Sequence, residues 1–221
     1  MAEEKDVFDE QVAAHYEVWY ETAEGRRADA LEKDALSWLL RQVSRRETVL
    51  DIGCGTGHFT TWLSGQGRWA VGLDRSAPMV AQARTLVNVP LVRGDAVHLP
   101  FADGTFDLTA LITTVEFLER PGEGLAEALR VARHGALLGV LNRWSVLGLR
   151  RRLVGLFHPT VYDAGQFYRV GELKRMLQAA SGGRGQIVWR TTLFPRWLPW
   201  RRATVPWGGF IAMALVFEGG T

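Results

Sequence analysis

Short β-branched runs alternate with longer stretches of helical spacing along this chain, which predicts βαβ units on a parallel sheet. Leu31, Ala35, Trp38, Leu39 and Val43 recur at three- and four-residue intervals and predict an amphipathic helix over 29–44. Strands follow at Thr48–Ile52, Ala70–Leu73, Leu91–Arg93, Phe106–Ile112 and Ala136–Leu141. Helices are predicted between them at His58–Leu63, Ala77–Leu86 and around Leu125–Ala132. Ser76 is placed to cap the second of these, Pro78 sits in a first turn that tolerates proline, and Gly135 fits a helix stop. Five strands with helices between them make a doubly wound sheet. After Asn142 the alternation loosens. Residues 143–185 read as an inserted substrate lid over the active-site end, with an amphipathic helix at Val170–Ala180. Gln186–Thr192 and Phe210–Phe217 read as closing strands, joined by Phe194–Gly209, which is rich in Trp, Pro and Arg. No repeat is visible, so 1–221 reads as one domain with N-terminal cap helices over 1–45.

Composition narrows the class. The 221 residues are 47% apolar and 23% charged, enough to bury a core and unlike a disordered chain. A net charge of +2 gives no broad electrostatic footprint for nucleic acid. The single cysteine, Cys54, excludes an internal disulfide and a Cys-rich metal site and suits a reducing compartment. The N-terminus MAEEKDVFDE has no apolar core of a signal peptide, and the run near Phe210–Phe217 is far short of the about 20 residues that span a bilayer. The expected location is cytoplasmic.

The segment that carries chemistry is VLDIGCGTG, Val49 to Gly57. An apolar strand runs into Asp51, then Gly53, Gly55 and Gly57, then a helix. Glycine suits a place where the backbone turns tightly and a ligand lies against it. In open α/β sheets that place is the crevice at the carboxyl ends of the strands. A dinucleotide fingerprint would need a third glycine where His58 stands. An acid at Asp51 opposes a pyrophosphate but suits a ligand with an amino group and a sulfonium. Asp74 closes the second strand 21 residues beyond Gly53, close to the spacing of an acid that binds ribose hydroxyls. Asp95 follows the third strand, where its carboxylate could accept from an exocyclic adenine amine. Each acid alone could be a cap or a turn residue; three on successive strand ends form a pattern.

VLDIGCGTG, GLDRS, RGDAVHLPFADGTFDL and EALRVAR together resemble the small class I S-adenosylmethionine-dependent methyltransferases of the UbiE-like type, over roughly Tyr16 to Asn142. The resemblance implies a Rossmann-like sheet of seven strands with the last antiparallel, and methyl transfer from S-adenosylmethionine, leaving S-adenosylhomocysteine. Residue by residue, it places Gly53 and Gly55 at the methionine part, Asp74 at the ribose, Asp95 and Ala96 at the adenine, and Thr113 beside the cofactor after the fourth strand. Tyr16, Trp19 and Tyr20 lie in a run that closes over the cofactor in such enzymes, though Trp19 fits a core position equally well. Asp51, Cys54, Arg75 and Met79 complete the expected cofactor set.

Absences restrict the substrate. The segment after the fourth strand is TTVEFLE, without the N-P-P-Y or D-P-P-Y of nucleic-acid amino-methyltransferases. Cys54 stands in the cofactor loop, where it could not be the nucleophile of a pyrimidine C5-methyltransferase, and one cysteine does not suit arsenite. The expected acceptor is an O, N or C nucleophile of a small molecule, anionic or aromatic in one reading. Methyl transfer rests chiefly on in-line positioning within about 3–3.5 Å, so a general base is optional. Glu116 and His58 are the base candidates, followed by His15, His158 and Tyr162. Trp197, Trp200 and Trp207 cluster with Arg196, Arg201 and Arg202, and Arg150–Arg152 add a second basic run. Three readings fit these: a substrate surface, a peripheral membrane contact, or a solvated face. A non-catalytic binding module, a nucleic-acid methyltransferase and a nicotinamide-dependent oxidoreductase remain as rival classes.

Overall fold

A computed structural model describes residues 7–43, 47–143 and 165–217. Among these residues eight strands form one sheet: β1 Thr48–Ile52, β2 Trp69–Asp74, β3 Leu91–Arg93, β4 Leu108–Ile112, β5 Gly135–Leu141, β6 Gln186–Thr192, β7 Arg202–Ala203 and β8 Phe210–Val216. Their order is β3-β2-β1-β4-β5-β8-β6-β7. β1 to β5 run parallel, and β8 lies antiparallel between β5 and β6. The sheet therefore has eight strands where seven were expected. The extra one, β7, pairs Arg202 with Thr192 and Ala203 with Thr191, inside the segment read as a plain connection. A two-residue strand leaves no alternating pattern in sequence.

Alternate strand residues feed two cores, as the two-residue period of a pleated strand requires. Val49, Leu108, Ala110, Ile112, Leu137 and Phe210 face one side with Leu36 and Leu39 of α3 (Ala23–Gln42) and Phe59 and Leu63 of α4 (His58–Gly65). Leu50, Leu111, Leu138 and Met213 face the other, under Leu125 and Leu129 of α6 (Pro121–Val131) and Leu173 and Leu177 of α7 (Val170–Ala180). Helix α5 (Ala77–Leu86) has Ser76 as its cap, the hydroxyl accepting from the Met79 N–H. The helix expected over 29–44 begins six residues earlier. Thr22 caps it by accepting from the Gly25 N–H, and its first turn carries too few apolar residues to show a period. Gly135, expected as a helix stop, opens β5 instead, and Phe106 makes only an isolated bridge to Ala132 ahead of β4.

The expected lid over 143–185 divides in two. Residues 144–164, with Arg150–Arg152, His158 and Tyr162, lie outside the described residues. Within the rest, α7 is a core helix packed on α6 rather than a cover, because Leu173 and Leu177 are fully buried against the sheet. At the N-terminus two short helices, α1 (Glu10–His15) and α2 (Val18–Glu21), precede α3.

The core gives a direct test. Phe210 is fully buried, and its ring fills the space above Gly139, where an added Cβ would come within 2.5 Å of the ring. Phe210→Ala should lower unfolding stability by about 3–5 kcal/mol, read from the urea midpoint. A loss under 1 kcal/mol would show that β5 and β8 do not pack as described.

Candidate functional site

The carboxyl ends of β1 to β4 converge on a cavity of about 430 Å³, a size that suits a small ligand. All twelve residues of the expected cofactor set line it: Tyr16, Tyr20, Asp51, Gly53, Cys54, Gly55, Asp74, Arg75, Met79, Asp95, Ala96 and Thr113. The turn after β1 is tied down at several points. The Gly53 and Cys54 N–H groups both donate to the Leu73 carbonyl, at 2.7 and 3.0 Å. The Gly55 N–H donates to Asp74 Oδ2 at 2.8 Å, and the Ser76 N–H to its Oδ1 at 2.9 Å. Gly53 has φ +72°, and a Cβ there would lie 2.3 Å from a methyl carbon of Thr114, so no larger residue fits. Gly55 has φ +55° but open space beside it, room into which a ligand can settle.

Four acidic side chains line the cavity: Asp51, Asp74, Asp95 and Glu119. Asp51 is buried beneath the glycine turn and accepts from the Thr60 hydroxyl at 2.6 Å. Burial raises its carboxyl, with help from the neighbouring Asp74 charge, to about 7. Asp95 Oδ1 accepts from the Val97 N–H, which orients the carboxylate in its turn. At the rim Arg75 and Glu119 stand 3.8 Å apart, both exposed, a pair of little energetic weight. Cys54 lines the wall, but burial drives its thiol far up, and it is inert as a nucleophile. Thr113 adopts φ +51°, a costly conformation for a β-branched residue, which brings strain to the cavity wall. Among the described residues no cluster of His, Cys, Asp and Glu is arranged to hold a metal ion.

The N-terminal segment forms one wall of the cavity. The Phe8 carbonyl accepts from the Ser76 hydroxyl at 2.8 Å, and its ring meets Phe117 edge-on at 5.0 Å. Tyr20 stacks on His58 at 3.7 Å between ring centroids. Trp19 packs against the α3 and α4 core and does not line the cavity, its alternative placement. Val7, Phe8 and Phe117 were missed in the sequence. An apolar pair within an acidic N-terminus was the available signal for the first two.

Neither base candidate is placed for the role. Glu116 does not line the cavity. It is buried, its Oε1 accepts from the Leu141 N–H at 2.6 Å, and it ties the 3₁₀ turn Val115–Phe117 to the end of β5. Burial lifts its carboxyl to about 8, so it is mostly protonated at neutral pH. Its Oε2 makes no hydrogen bond among the described residues. His58 does line the cavity, but both ring nitrogens are committed. Nε2 lies 2.8 Å from Asp29 and Nδ1 3.3 Å from Glu17, which also accepts from the Thr56 hydroxyl. Lys33 pairs with Asp29 and reaches the same Nε2. His58 therefore latches α2 and α3 onto the glycine turn instead of accepting a substrate proton. His15 is exposed on α1, bonded to the Gln11 carbonyl.

The sheet order and the cavity at its carboxyl ends define the class I fold of the S-adenosylmethionine-dependent methyltransferases. Residues 50–140 match the family pattern described as a methyltransferase domain. Among individual relatives, the chain is 41% identical over 99 residues to the demethylmenaquinone methyltransferase of Mycolicibacterium vanbaalenii, covering 45% of this chain and 43% of that protein. It is 40% identical over 104 residues to the enzyme of that name from Lactiplantibacillus plantarum, covering 42% and 44%. The chain thus spans about half or less of the length of the curated relatives it matches. Along nearly its whole length it resembles the crystal structure of an S-adenosylmethionine-dependent methyltransferase from Thermotoga maritima, described as a possible histamine N-methyltransferase. That likeness has TM-score 0.78 and 26% identity, and covers 96% of this chain and 98% of the other. The magnesium protoporphyrin IX methyltransferase of Synechocystis, solved with S-adenosylhomocysteine bound, shares the fold at TM-score 0.70 and 16% identity, over 97% and 98% of the two chains.

The His58 latch carries a pH prediction. Burial pulls the imidazole pKa down, but hydrogen bonds to Asp29 and Glu17 outweigh it, and the group titrates above its ordinary 6.5. A raised folded-state pKa adds stability that is full below 6.5 and is lost as pH rises through the raised value. Hydrogen exchange of 10–21 should therefore quicken as pH rises through that range, after correction for the intrinsic rate. His58→Gln should remove about 1 kcal/mol of this protection and flatten its pH dependence. Equal protection of the two proteins at every pH would mean the contacts do not hold the segment.

Proposed function

We propose that this protein transfers the methyl group of S-adenosylmethionine to an O, N or C nucleophile of a small molecule. The observation that carries the reading is the Asp74–Gly55 contact, which joins a glycine turn shaped for close ligand approach to an acid at the end of the neighbouring strand. The donor set fits the cofactor. Asp74, Asp95 and Ala96 all line the cavity, which supports ribose hydroxyls at Asp74 and an adenine at Asp95 and Ala96. Asp51 under the turn suits the amino and sulfonium charges, and Tyr16 and Tyr20 can cover the cavity. When bound, the cofactor supplies an already activated methyl electrophile. The chain's own contribution is to position the acceptor and exclude water, since His58 and Glu116 are both committed to contacts that hold the fold. The wall also offers Phe8, Phe117 and the rim arginines Arg75 and Arg120, which support an aromatic or anionic acceptor. The antiparallel β8 between β5 and β6 departs from the all-parallel sheet of dinucleotide dehydrogenases, which counts against the oxidoreductase rival.

Calorimetric titration with S-adenosylmethionine, S-adenosylhomocysteine and NADH tests the reading. Binding of the first two without an NADH signal supports it; binding of NADH alone overturns it. Asp74→Ala should weaken S-adenosylmethionine by about 1–3 kcal/mol through lost hydrogen bonds. Unchanged affinity would remove Asp74 from the site.

Asp51 gives a sharper signature of a cationic ligand. Its carboxyl titrates near 7, so it is partly protonated at neutral pH. A sulfonium beside it favours the charged form, lowers that pKa and releases protons on binding. The binding enthalpy of S-adenosylmethionine at pH 7 should change with buffer ionisation enthalpy, corresponding to up to about half a proton released. S-adenosylhomocysteine, with a neutral sulfur, should release less. Identical release for the two ligands, or the same release from Asp51→Asn, would dissociate Asp51 from the sulfonium.

A further inference from the structure

The segment 194–209 between β6 and β8 shows an unusual surface. Trp197 is 79% exposed, Trp200 44% and Trp207 37%, three of the few large apolar side chains that the described residues leave open to solvent. Exposed Arg196 and Arg201 alternate with them, the Arg201 side chain being 66% exposed, and the segment contains no Asp or Glu. The Trp200 and Trp207 rings lie 5.7 Å apart, and exposed indoles gathered on one short segment mark a docking face.

The segment is also held in place. Its backbone enters through Leu193, buried at φ +60°. The Phe194 carbonyl accepts from Arg27 of α3 at 3.2 Å. Arg202 pairs with Asp34, and the Thr191 and Thr192 hydroxyls donate to the Val205 and Arg201 carbonyls. Asn142 at the end of β5 donates to the Pro206 and Gly208 carbonyls, both at 2.8 Å. Buried Phe194 supports Trp200 and Trp207 edge-on, at 5.6 and 4.9 Å. The indoles are therefore presented by a fixed base, and little ordering entropy remains to oppose docking.

Its position follows from strand direction. β8 is antiparallel to both β5 and β6, so β6 runs parallel to β5. The segment that leaves β6 and enters β8 thus lies at the carboxyl ends of the strands, the end that holds the cavity. Trp69, 65% exposed, starts β2 and so lies at the opposite end.

We infer that Trp197, Trp200 and Trp207, with Arg196 and Arg201, form a docking surface for an anionic lipid bilayer. Indoles settle at the headgroup boundary, where an apolar ring and an N–H donor are both satisfied. Arginines beside them meet the negative surface, each contributing on the order of fivefold in affinity. Asp34 of α3 pairs with Arg202 and stands 3.8 Å from Arg201, but the segment carries no acid of its own, and its exposed Arg196 and Arg201 select an anionic lipid surface over a neutral apolar partner. Among the described residues no helix is long and apolar enough to cross a membrane. Docking in this way turns the cavity's end of the sheet toward the lipid. The inference is independent of the cofactor reading, because vesicle binding is measured without turnover.

The test is sedimentation of the full chain with vesicles of equal parts phosphatidylcholine and phosphatidylglycerol, and with phosphatidylcholine alone. The expected result is binding to the anionic vesicles that weakens with added salt, with little binding to the neutral ones. Trp197→Ala with Trp200→Ala, and separately Arg196→Glu with Arg201→Glu, should each weaken binding by on the order of tenfold or more. Trp69→Ala should leave it unchanged. Unaltered circular dichroism of each variant shows that the fold survives. No binding to anionic vesicles, or equal loss in Trp69→Ala, overturns the proposal. Self-association abolished by the same tryptophan substitutions, without vesicle binding, would assign the surface to a second copy of the chain.

Discussion

The site depends on how the turn after β1 is fastened to the end of β2. Two consecutive N–H groups, of Gly53 and Cys54, share the Leu73 carbonyl, and the Asp74 carboxylate holds the next turn through Gly55. Left-handed backbone at Gly53 and Gly55 makes this possible, and the Thr114 side chain beneath Gly53 leaves no room for a Cβ. The carboxyl ends of four parallel strands and the start of α4 then open onto one cavity. Without that fastening the three acids would still stand on successive strand ends, but no backbone would lie close enough to a ligand to complete the site.

Buried acids set the electrical character of the molecule. Asp51 and Glu116 are both almost wholly excluded from water, and both carboxyls are raised to near or above neutrality. Their roles diverge because of what surrounds them. Asp51 faces the cavity and can regain its charge when a cation arrives, whereas Glu116 is bonded to the end of β5 and acts as a strut. His58 shows the opposite balance. Two carboxylates outweigh its desolvation, raise its pKa and make it a clasp between the glycine turn and the N-terminal helices. The acids that line the cavity are thus separate from the ion network that ties the N-terminal helices to the glycine turn.

Legibility in the sequence varied with the kind of information. The alternation of elements through β5, the glycine turn and the acids Asp74 and Asp95 could all be read, because each leaves a local mark: a period, a positive-φ residue or a fixed spacing. The expected cofactor set came mainly from resemblance, and the structure gathers its twelve members around one cavity. Less visible were the start of α3, which shows no apolar period, and β7, which is too short to alternate. The base candidates His58 and Glu116 were judged by their place after a strand, and a side chain's partners are not written in that place.

By itself the sequence determined the doubly wound sheet, the turn that approaches a ligand and the acids on its rim, since these follow from short-range periodicity and backbone sterics. Only the tertiary structure decided which ionisable groups face the cavity and which are spent holding the fold. It alone placed α7 in the core and not over the site, and set the Trp and Arg segment at the cavity's end of the sheet. Those outcomes depend on contacts between residues far apart in the chain: Arg27 with Phe194, Asn142 with Gly208, His58 with Asp29. Such pairs leave no periodic trace, so burial and partner identity become defined only when the chain has closed on itself.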